Sequence, residues 1–218
     1  MQTASGIARD RRPLFMWAMV RLLLAHTRDD AGPSHPAHEE GVAMQNSPAL
    51  ARFLADWNRE AQRTIQLLEA LPVDQYEFRP DPKGRSIGEL AWHLSEIDAC
   101  LSFGVAERRF RLEDEPPGLA RPREIALLAP GYRRIHDQAV ARLQGLDDRQ
   151  LEESVTYFDG RSMTIGEVLR DALLNHLVHH RGQLTLLCRM AGGTPPGTFG
   201  PNREEMAEIR ARMQATGH

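Results

Sequence analysis

Three histidines lie close together in the run Asn175-His176-Leu177-Val178-His179-His180-Arg181-Gly182-Gln183. If this run is helical, the spacing between His176 and His180 places both imidazoles on one face, where they can bind a single cation. Both fall near the middle of the segment's apolar stripe, whereas His179 lies about a quarter-turn to its side. Because two unpaired imidazoles are costly to bury, this pattern favours a metal site over a pair of hydrogen-bonded core histidines.

A third ligand has to come from another segment, and two histidines compete for the role. His93 lies at the edge of the apolar stripe of an earlier amphipathic segment, a position from which it can reach a neighbouring helix. His136 lies in a further amphipathic segment, although Arg133 and Arg134 next to it predict a solvent-exposed face. The residues alone leave both candidates open.

Several common catalytic and metal sites are excluded by spacing. The sequence has no Glu-x-x-His pairs for a ferritin-like di-iron site and no His-Glu-x-x-His for a zinc protease. It also lacks a Cys-x-x-Cys zinc motif, a phosphate-binding loop of the Gly-x-x-x-x-Gly-Lys type and a Gly-x-Ser-x-Gly elbow. Ser-His-Asp chemistry stays open although no elbow supports it, and a site built from histidines on helices is the hypothesis that the sequence favours.

The apolar periodicity predicts the elements that position these histidines. Four long helices are expected over about residues 48–71, 86–110, 123–144 and 164–190, and a shorter polar helix over about 202–214. Ser86 with Glu89, and Thr164 with Glu167, have the form of capping boxes. Pro130 is expected to kink the third helix or to split off its first turns. We therefore predict an all-α fold, an up-down four-helix bundle with a short C-terminal helix and a small hairpin before helix four.

Composition and charge narrow the functional class. The chain has 218 residues, and 27 Lys and Arg against 30 Asp and Glu give a net charge of −3, which offers no electrostatic reason to expect nucleic acid. Its two cysteines, Cys100 and Cys188, are too few for a secreted disulfide scaffold, so we expect reduced thiols and a cytoplasmic protein. No apolar run approaches the roughly 18–20 residues of a membrane span, because Arg21 interrupts the longest candidate.

The sequence divides into three parts. Residues 1–43 are expected to be an N-terminal extension, either linker-like or upstream of a true start at Met44. His35 and His38 lie in this part, where no predicted fold supports them, so we discount them as metal ligands. The bundle is expected over residues 44–201, followed by the C-terminal helix and tail over 202–218.

The chain resembles the DinB/YfiT-like superfamily of four-helix metal-binding proteins. The resemblance covers about residues 49–201 and rests on Ser-Ile-Gly-Glu-Leu-Ala-Trp-His-Leu at 86–94, His-Leu-Val-His-His-Arg-Gly-Gln-Leu at 176–184 and Gly-Gly-Thr-Pro-Pro at 192–196. What the resemblance implies is a divalent metal held by three histidines, which correspond to His93, His176 and His180.

The resemblance also implies a function. Characterised relatives include thiol S-transferases that use bacillithiol or mycothiol and a mycothiol-dependent isomerase. We therefore expect a low-molecular-weight thiol and an electrophile as the small-molecule partners, and Zn²⁺ or Ni²⁺ as the metal. We expect the protein to bind neither nucleic acid nor a membrane. A homodimer is left open. The alternative hypothesis is a non-enzymatic, stress-associated bundle protein with a structural metal.

Polar residues near the histidines are candidates for supporting roles. Asp98 is a candidate acceptor for an imidazole N–H or a substrate-orienting base, the alternative being a partly exposed acid at a helix boundary. Gln183 and Asn175 are candidates for orienting ligands. Arg181 can clamp an anionic thiol, although a solvated arginine is the simpler interpretation.

Overall fold

The computed structural model describes residues 47–216. The predicted N-terminal extension, with His35 and His38, lies outside the described residues. The helices are α1 (Pro48–Glu69), α2 (Ile87–Ala106), α3 (Leu128–Leu143), a short α4 (Asp148–Leu151), α5 (Ile165–Glu167), a π-helical segment (Val168–Asn175), α6 (His176–Met190) and α7 (Arg203–Ala215). A 3₁₀ turn (Ile125–Leu127) leads into α3, and strands β1 (Ser154–Thr156) and β2 (Ser162–Thr164) form an antiparallel hairpin. α5, the π-helical segment and α6 follow one another without a break, and we call them together the composite helix.

Side-chain caps determine where the helices that carry the histidines begin. Ser86 and Glu89 form a capping box at the start of α2, with the Glu89 amide donating to Ser86 Oγ at 3.3 Å and the Ser86 amide to Glu89 Oε2 at 2.9 Å. Thr164 and Glu167 form the corresponding box at the start of α5. Both predicted capping boxes are therefore present. They could be predicted because a capping box depends only on residues three apart in sequence.

Two helix boundaries differ from the predicted ones for local reasons. Pro130 lies in the first turn of α3, where proline is tolerated because the amides of a first helical turn have no partner within the helix. The residues before α3 form a separate 3₁₀ turn instead of continuing the helix. α2 ends at Ala106, before the predicted residue 110, because Arg108 adopts a left-handed backbone with φ of 52°. The Arg109 amide then bonds back to the Gly104 carbonyl at 3.0 Å, which closes the helix in the manner of a glycine cap.

The long helices form the predicted all-α bundle. Their directions do not simply alternate along the chain, because two pairs of helices run parallel. Contacts join Asp98 to His136 and Ser102 to Arg142, so α2 and α3 run parallel and are joined by the crossover of residues 107–127. The composite helix runs parallel to α1 instead, since Glu60 contacts Arg181 and Ala70 contacts Cys188. α1 and α3 run antiparallel, since Asn58 contacts His136 and Glu69 contacts Arg133. α2 and the composite helix are therefore antiparallel neighbours.

The core lies between these four helices. Its largest fully buried side chains include Trp57 on α1, Trp92 on α2 and Tyr132 on α3. Burying a large apolar side chain contributes about 1.5–3 kcal/mol, so the core fixes α2 and the composite helix rigidly enough to hold a site between them. None of the helices in residues 47–216 is long and apolar enough to cross a membrane.

Candidate metal centre

Three histidine side chains from two helices meet inside the bundle. His93 comes from α2, and His176 and His180 come from successive turns at the start of α6. One nitrogen of each lies within 4.8 Å of the others. The ring centroids of His93 and His180 are 4.7 Å apart, those of His176 and His180 are 4.6 Å apart, and those of His93 and His176 are 5.6 Å apart. The structure thus brings together the three histidines that the resemblance implied as ligands.

Two of the three rings contact a polar side chain of their own helix through Nδ1. His93 Nδ1 lies 3.0 Å from Glu96 Oε2, and His180 Nδ1 lies 2.7 Å from Gln183 Oε1. Carboxylate and amide oxygens accept, so these Nδ1 atoms carry the proton and the lone pair resides on Nε2. For His176, the only ring-nitrogen contact to a side chain among residues 47–216 is the one to His180.

A π-helical segment directly precedes His176 and changes its backbone hydrogen bond. In a regular α-helix the His176 amide would donate to the Ala172 carbonyl, four residues earlier. Here the amide donates to the Leu173 carbonyl instead. Single π-helical turns are often found at functional sites, and this one directly precedes a ligand candidate. Nothing in the apolar periodicity of the sequence signals it.

The Nε2 atoms of His176 and His180 are 2.8 Å apart, and Nδ1 of His180 is already engaged by Gln183. Nε2 of His180 can therefore accept, either a proton of His176 or a cation. Together with a nitrogen of His93, these atoms form a donor set that fits a divalent ion of the kind that imidazole prefers, such as Zn²⁺, Ni²⁺ or Co²⁺.

Burial keeps the three imidazoles neutral. His93 is only 1% exposed, His180 is 6% exposed and His176 is half-buried. Desolvation, then the charges of Arg85 and His176, lowers the pKa of His93 to about 2. Desolvation is also the main reason that the pKa of His180 falls to about 3 and that of His176 to about 4. The rings are therefore unprotonated near neutral pH, as ligands must be.

Glu96 is the supporting residue that the sequence reasoning missed. It is 9% exposed and contacts His93 one turn earlier on α2. Burial raises the pKa of its carboxyl group, and the positive charges of Arg85 and Arg121 counteract part of that shift. The spacing of three residues from His93 on a predicted helix is the signal that could have identified it.

Asp98 contacts a histidine outside the cluster. It is fully buried, so the interpretation as a partly exposed acid is wrong. It accepts from an imidazole, that of His136, whose Nδ1 lies 2.9 Å from Oδ2, while Trp57 Nε1 donates to Oδ1 at 3.1 Å. Asp98 therefore supports His136 and not one of the three clustered histidines.

His136 is a buried structural histidine outside the cluster. It is 3% exposed, and its Nε2 lies 3.0 Å from Asn58 Oδ1, so both ring nitrogens have protein partners. The predicted solvated face is wrong for this residue. Arg133 and Arg134 are exposed, but successive helical residues turn by about 100°, so their exposure does not extend to His136.

Of the three remaining polar candidates, one contacts the histidine cluster and two do not. Gln183 does contact the cluster, and its Nε2 also donates to His179 at 3.0 Å. Asn175 is exposed and donates to Asp171 instead of a histidine. Arg181 is neither solvated nor available to a substrate, because it is 2% exposed and forms a buried ion pair with Glu60 of α1.

Comparisons with known proteins give a consistent result. The model of the DinB family matches residues 44–213. The uncharacterized protein YrdA of Bacillus subtilis is 32% identical over 162 residues, which span 73% of this chain and 93% of YrdA. The uncharacterized protein YjoA of the same organism is 26% identical over 156 residues, spanning 69% of this chain and 93% of YjoA.

Two solved structures share the fold. A DinB-like protein from Bacillus cereus superposes with a TM-score of 0.58 at 29% identity, covering 72% of this chain and all of that protein. The structure of YjoA superposes with a TM-score of 0.55 at 24% identity, covering 70% of this chain and 99% of that protein, and this likeness concerns the fold alone.

Proposed function

We propose, from the premise that this chain belongs to the DinB family, that it is a metal-dependent thiol S-transferase. The observation that carries the proposal is the set of three neutral imidazoles, His93, His176 and His180, which converge without a fourth histidine, cysteine or carboxylate among residues 47–216. A site with three protein ligands leaves a position for a thiol or water, which is the mark of a catalytic rather than a structural metal.

A divalent ion bound there would lower the pKa of a thiol, so that a thiolate would be available near neutral pH. The protein's own contribution is to hold the ligands. Glu96 and Gln183 fix the tautomers of His93 and His180. Such supporting contacts determine how tightly a metal binds and how its ligands are oriented.

The proposed reaction is a substitution at an electrophilic carbon. The thiol sulfur forms the new bond to that carbon, the leaving group departs with the bonding electron pair, and the thiol proton passes to solvent. No external oxidant or reductant is needed. We place this reaction in the cytoplasm, where low-molecular-weight thiols are kept reduced; both cysteines of the chain are free thiols.

The second candidate function is a structural metal in a non-enzymatic bundle protein. It is favoured by one observation, that the cluster joins α2 to α6 and so would tie two helices together. The two functions differ in whether an external ligand can reach the ion. Binding of a thiol to the Co²⁺-substituted protein, seen as a sulfur-to-metal charge-transfer band, separates them, since a structural site gives no such band.

Metal analysis and a conjugation assay test the proposal together. The purified protein should hold one divalent ion per chain, and His93→Ala should weaken binding steeply while His136→Ala should not. Transfer should be assayed with monochlorobimane as electrophile and bacillithiol, mycothiol or cysteine as thiol. Activity that depends on the metal and is lost in His93→Ala supports the proposal, and full activity in metal-stripped protein overturns it. If activity is found, its pH profile should show a limb for deprotonation of the bound thiol or water.

A further inference from the structure

The two loops that flank α2 both return to the first turns of that helix. The ring of Tyr76 packs against the start of α2, and its hydroxyl donates to the Pro122 carbonyl at 2.6 Å. One turn further along α2, Trp92 Nε1 donates to the Leu119 carbonyl at 3.1 Å. Residues 119–122 of the crossover are therefore fixed at two points beside this end of α2.

Arginines from both loops meet at one acidic residue of α2. Arg79 Nη1 lies 3.4 Å from Glu89 Oε2, and Arg121 Nη1 lies 3.7 Å from Glu89 Oε1. Arg85 immediately precedes the N-cap of α2 and so lies at the same end of the helix. Glu89 is four residues before His93, which places the two side chains on one face of α2. The arginines therefore lie about one helical turn from the histidine cluster.

Arg85 is close enough to the cluster for its charge to act there. Desolvation is the main cause that lowers the pKa values of the three clustered histidines, and the charge of Arg85 acts on each of them in the same direction. Burial raises the pKa of Glu96, and Arg85 counteracts that shift more strongly than Arg121 does. Arg85 therefore lies beside the cluster, and Arg121 lies further out.

The carboxylates around these two guanidinium groups leave capacity for a further anion. Desolvation lowers the pKa of Arg85 although Glu96 and Glu89 oppose the shift, so these carboxylates do not fully compensate its burial. The side chain of Arg121 is 32% exposed, and the pair with Glu89 is its one hydrogen bond or ion pair within residues 47–216. Glu89 also accepts from the Ser86 amide at 2.9 Å. Because each guanidinium group has five N–H donors, the two groups can bind an additional carboxylate.

We propose that the thiol substrate carries a carboxylate, which Arg85 and Arg121 bind while its sulfur binds the ion held by the three histidines. This inference rests on the proposed function and names its substrate class, a low-molecular-weight mercapto acid. The sequence suggested such a role for Arg181, but that residue is committed to Glu60. The two arginines hold the substrate by charge-assisted hydrogen bonds, and its carboxylate compensates the burial of Arg85.

Titration of the Co²⁺-substituted full-length protein with N-acetylcysteine and with its neutral amide tests the proposal, with the sulfur-to-metal charge-transfer band as the readout. Wild type should bind the acid at least about tenfold more tightly than the amide, because hydrogen bonds between charged groups are the stronger ones. Arg121→Gln and Arg85→Gln should each reduce this preference at least about threefold and leave affinity for the amide nearly unchanged. Arg123→Gln is the matched control, since Arg123 is exposed on the same crossover and its loss changes the net charge equally.

Unchanged circular dichroism and metal content show that each variant retains the bundle, and if Arg85→Gln does not fold, Arg121→Gln decides alone. Equal affinity of wild type for acid and amide overturns the inference and leaves the proposed function intact. A preference that survives in both variants also overturns it, because the carboxylate then binds the ion itself. Selective binding without transfer to monochlorobimane supports the inference and contradicts the transferase. Failure of both thiols to bind overturns both.

Discussion

Glu96 offers the sharpest test of how this site is built, because it touches a ligand candidate without being one. Its Oε2 lies 3.0 Å from Nδ1 of His93, a residue that is 1% exposed. Glu96→Ala removes this acceptor, and water cannot readily replace it at so buried a nitrogen. The Nδ1 proton of His93 then has no partner, and the ring is free to rotate or to change tautomer.

The expected magnitude follows from the contact. Loss of a carboxylate that supports a ligating histidine typically lowers metal affinity by about 10- to 100-fold, or about 1.4–2.7 kcal/mol. In the metal-free protein, an unsatisfied N–H at His93 costs about 1–3 kcal/mol, but removing the buried charge of Glu96 offsets part of that cost. The loss in metal affinity should therefore exceed the loss in the free energy of unfolding.

Competition with a chromophoric chelator measures the affinity, and urea unfolding of the metal-free protein measures the stability. Glu96→Gln keeps an acceptor oxygen and should recover much of the affinity. Gln183→Ala is the matched control, because Gln183 is exposed and water can take over its bond to His180, so its effect should stay below about tenfold. Wild-type affinity in a folded Glu96→Ala protein would refute the assigned role.

Three further predictions concern the cluster, its protonation and the boundary of the fold. His180→Ala should abolish stoichiometric metal binding, whereas His136→Ala should leave it unchanged and cost about 2 kcal/mol of stability, because Asp98 loses its buried partner; metal analysis and urea unfolding check both. The folded-state pKa values of His93, His176 and His180, at about 2, 4 and 3, lie below the unfolded value of about 6.5, so below that pH the unfolded chain binds more protons. The free energy of unfolding of the metal-free protein should thus fall as the pH drops from about 6.5 to about 4, and be independent of these groups above pH 7; a flat profile in acid would contradict the assignment. A chain beginning at Met44, where the family match starts, should keep the helix content and melting temperature of the full chain, and a loss above about 2 kcal/mol would show that residues 1–43 pack on the bundle.

The parts of the fold that local sequence determines were predicted well. The four long helices and both capping boxes depend on residues three or four apart, the hairpin depends on the turn at Asp159 and Gly160, and all are present. The parallel arrangement of α2 and α3 depends on how the crossover of residues 107–127 wraps the bundle, and helix periodicity carries no information about that. The π-helical segment was missed for a similar reason, since the apolar stripe continues through it.

The site was partly predictable in the same sense. The spacing of His176 and His180 is local and places their rings together, as the structure shows. Which face of α2 meets α6 is a tertiary matter, so the residues alone left His93 and His136 open, and the resemblance pointed to His93. Arg181 was misread because its partner Glu60 is 121 residues away, and no local pattern reveals such a pair.

The two sets of buried histidines show why the same residue type plays different parts in one bundle. His136 has both ring nitrogens engaged by protein groups, Asp98 and Asn58, so its hydrogen-bonding capacity is already used. In the cluster, side chains of the protein engage Nδ1 of His93 and Nδ1 of His180, and one nitrogen of each of the three rings lies near the other two rings. Nitrogens that converge in this way can all be satisfied at once by a single cation, whereas those of His136 are satisfied by the protein itself. This is the physical distinction between a histidine that builds the core and one that builds a site.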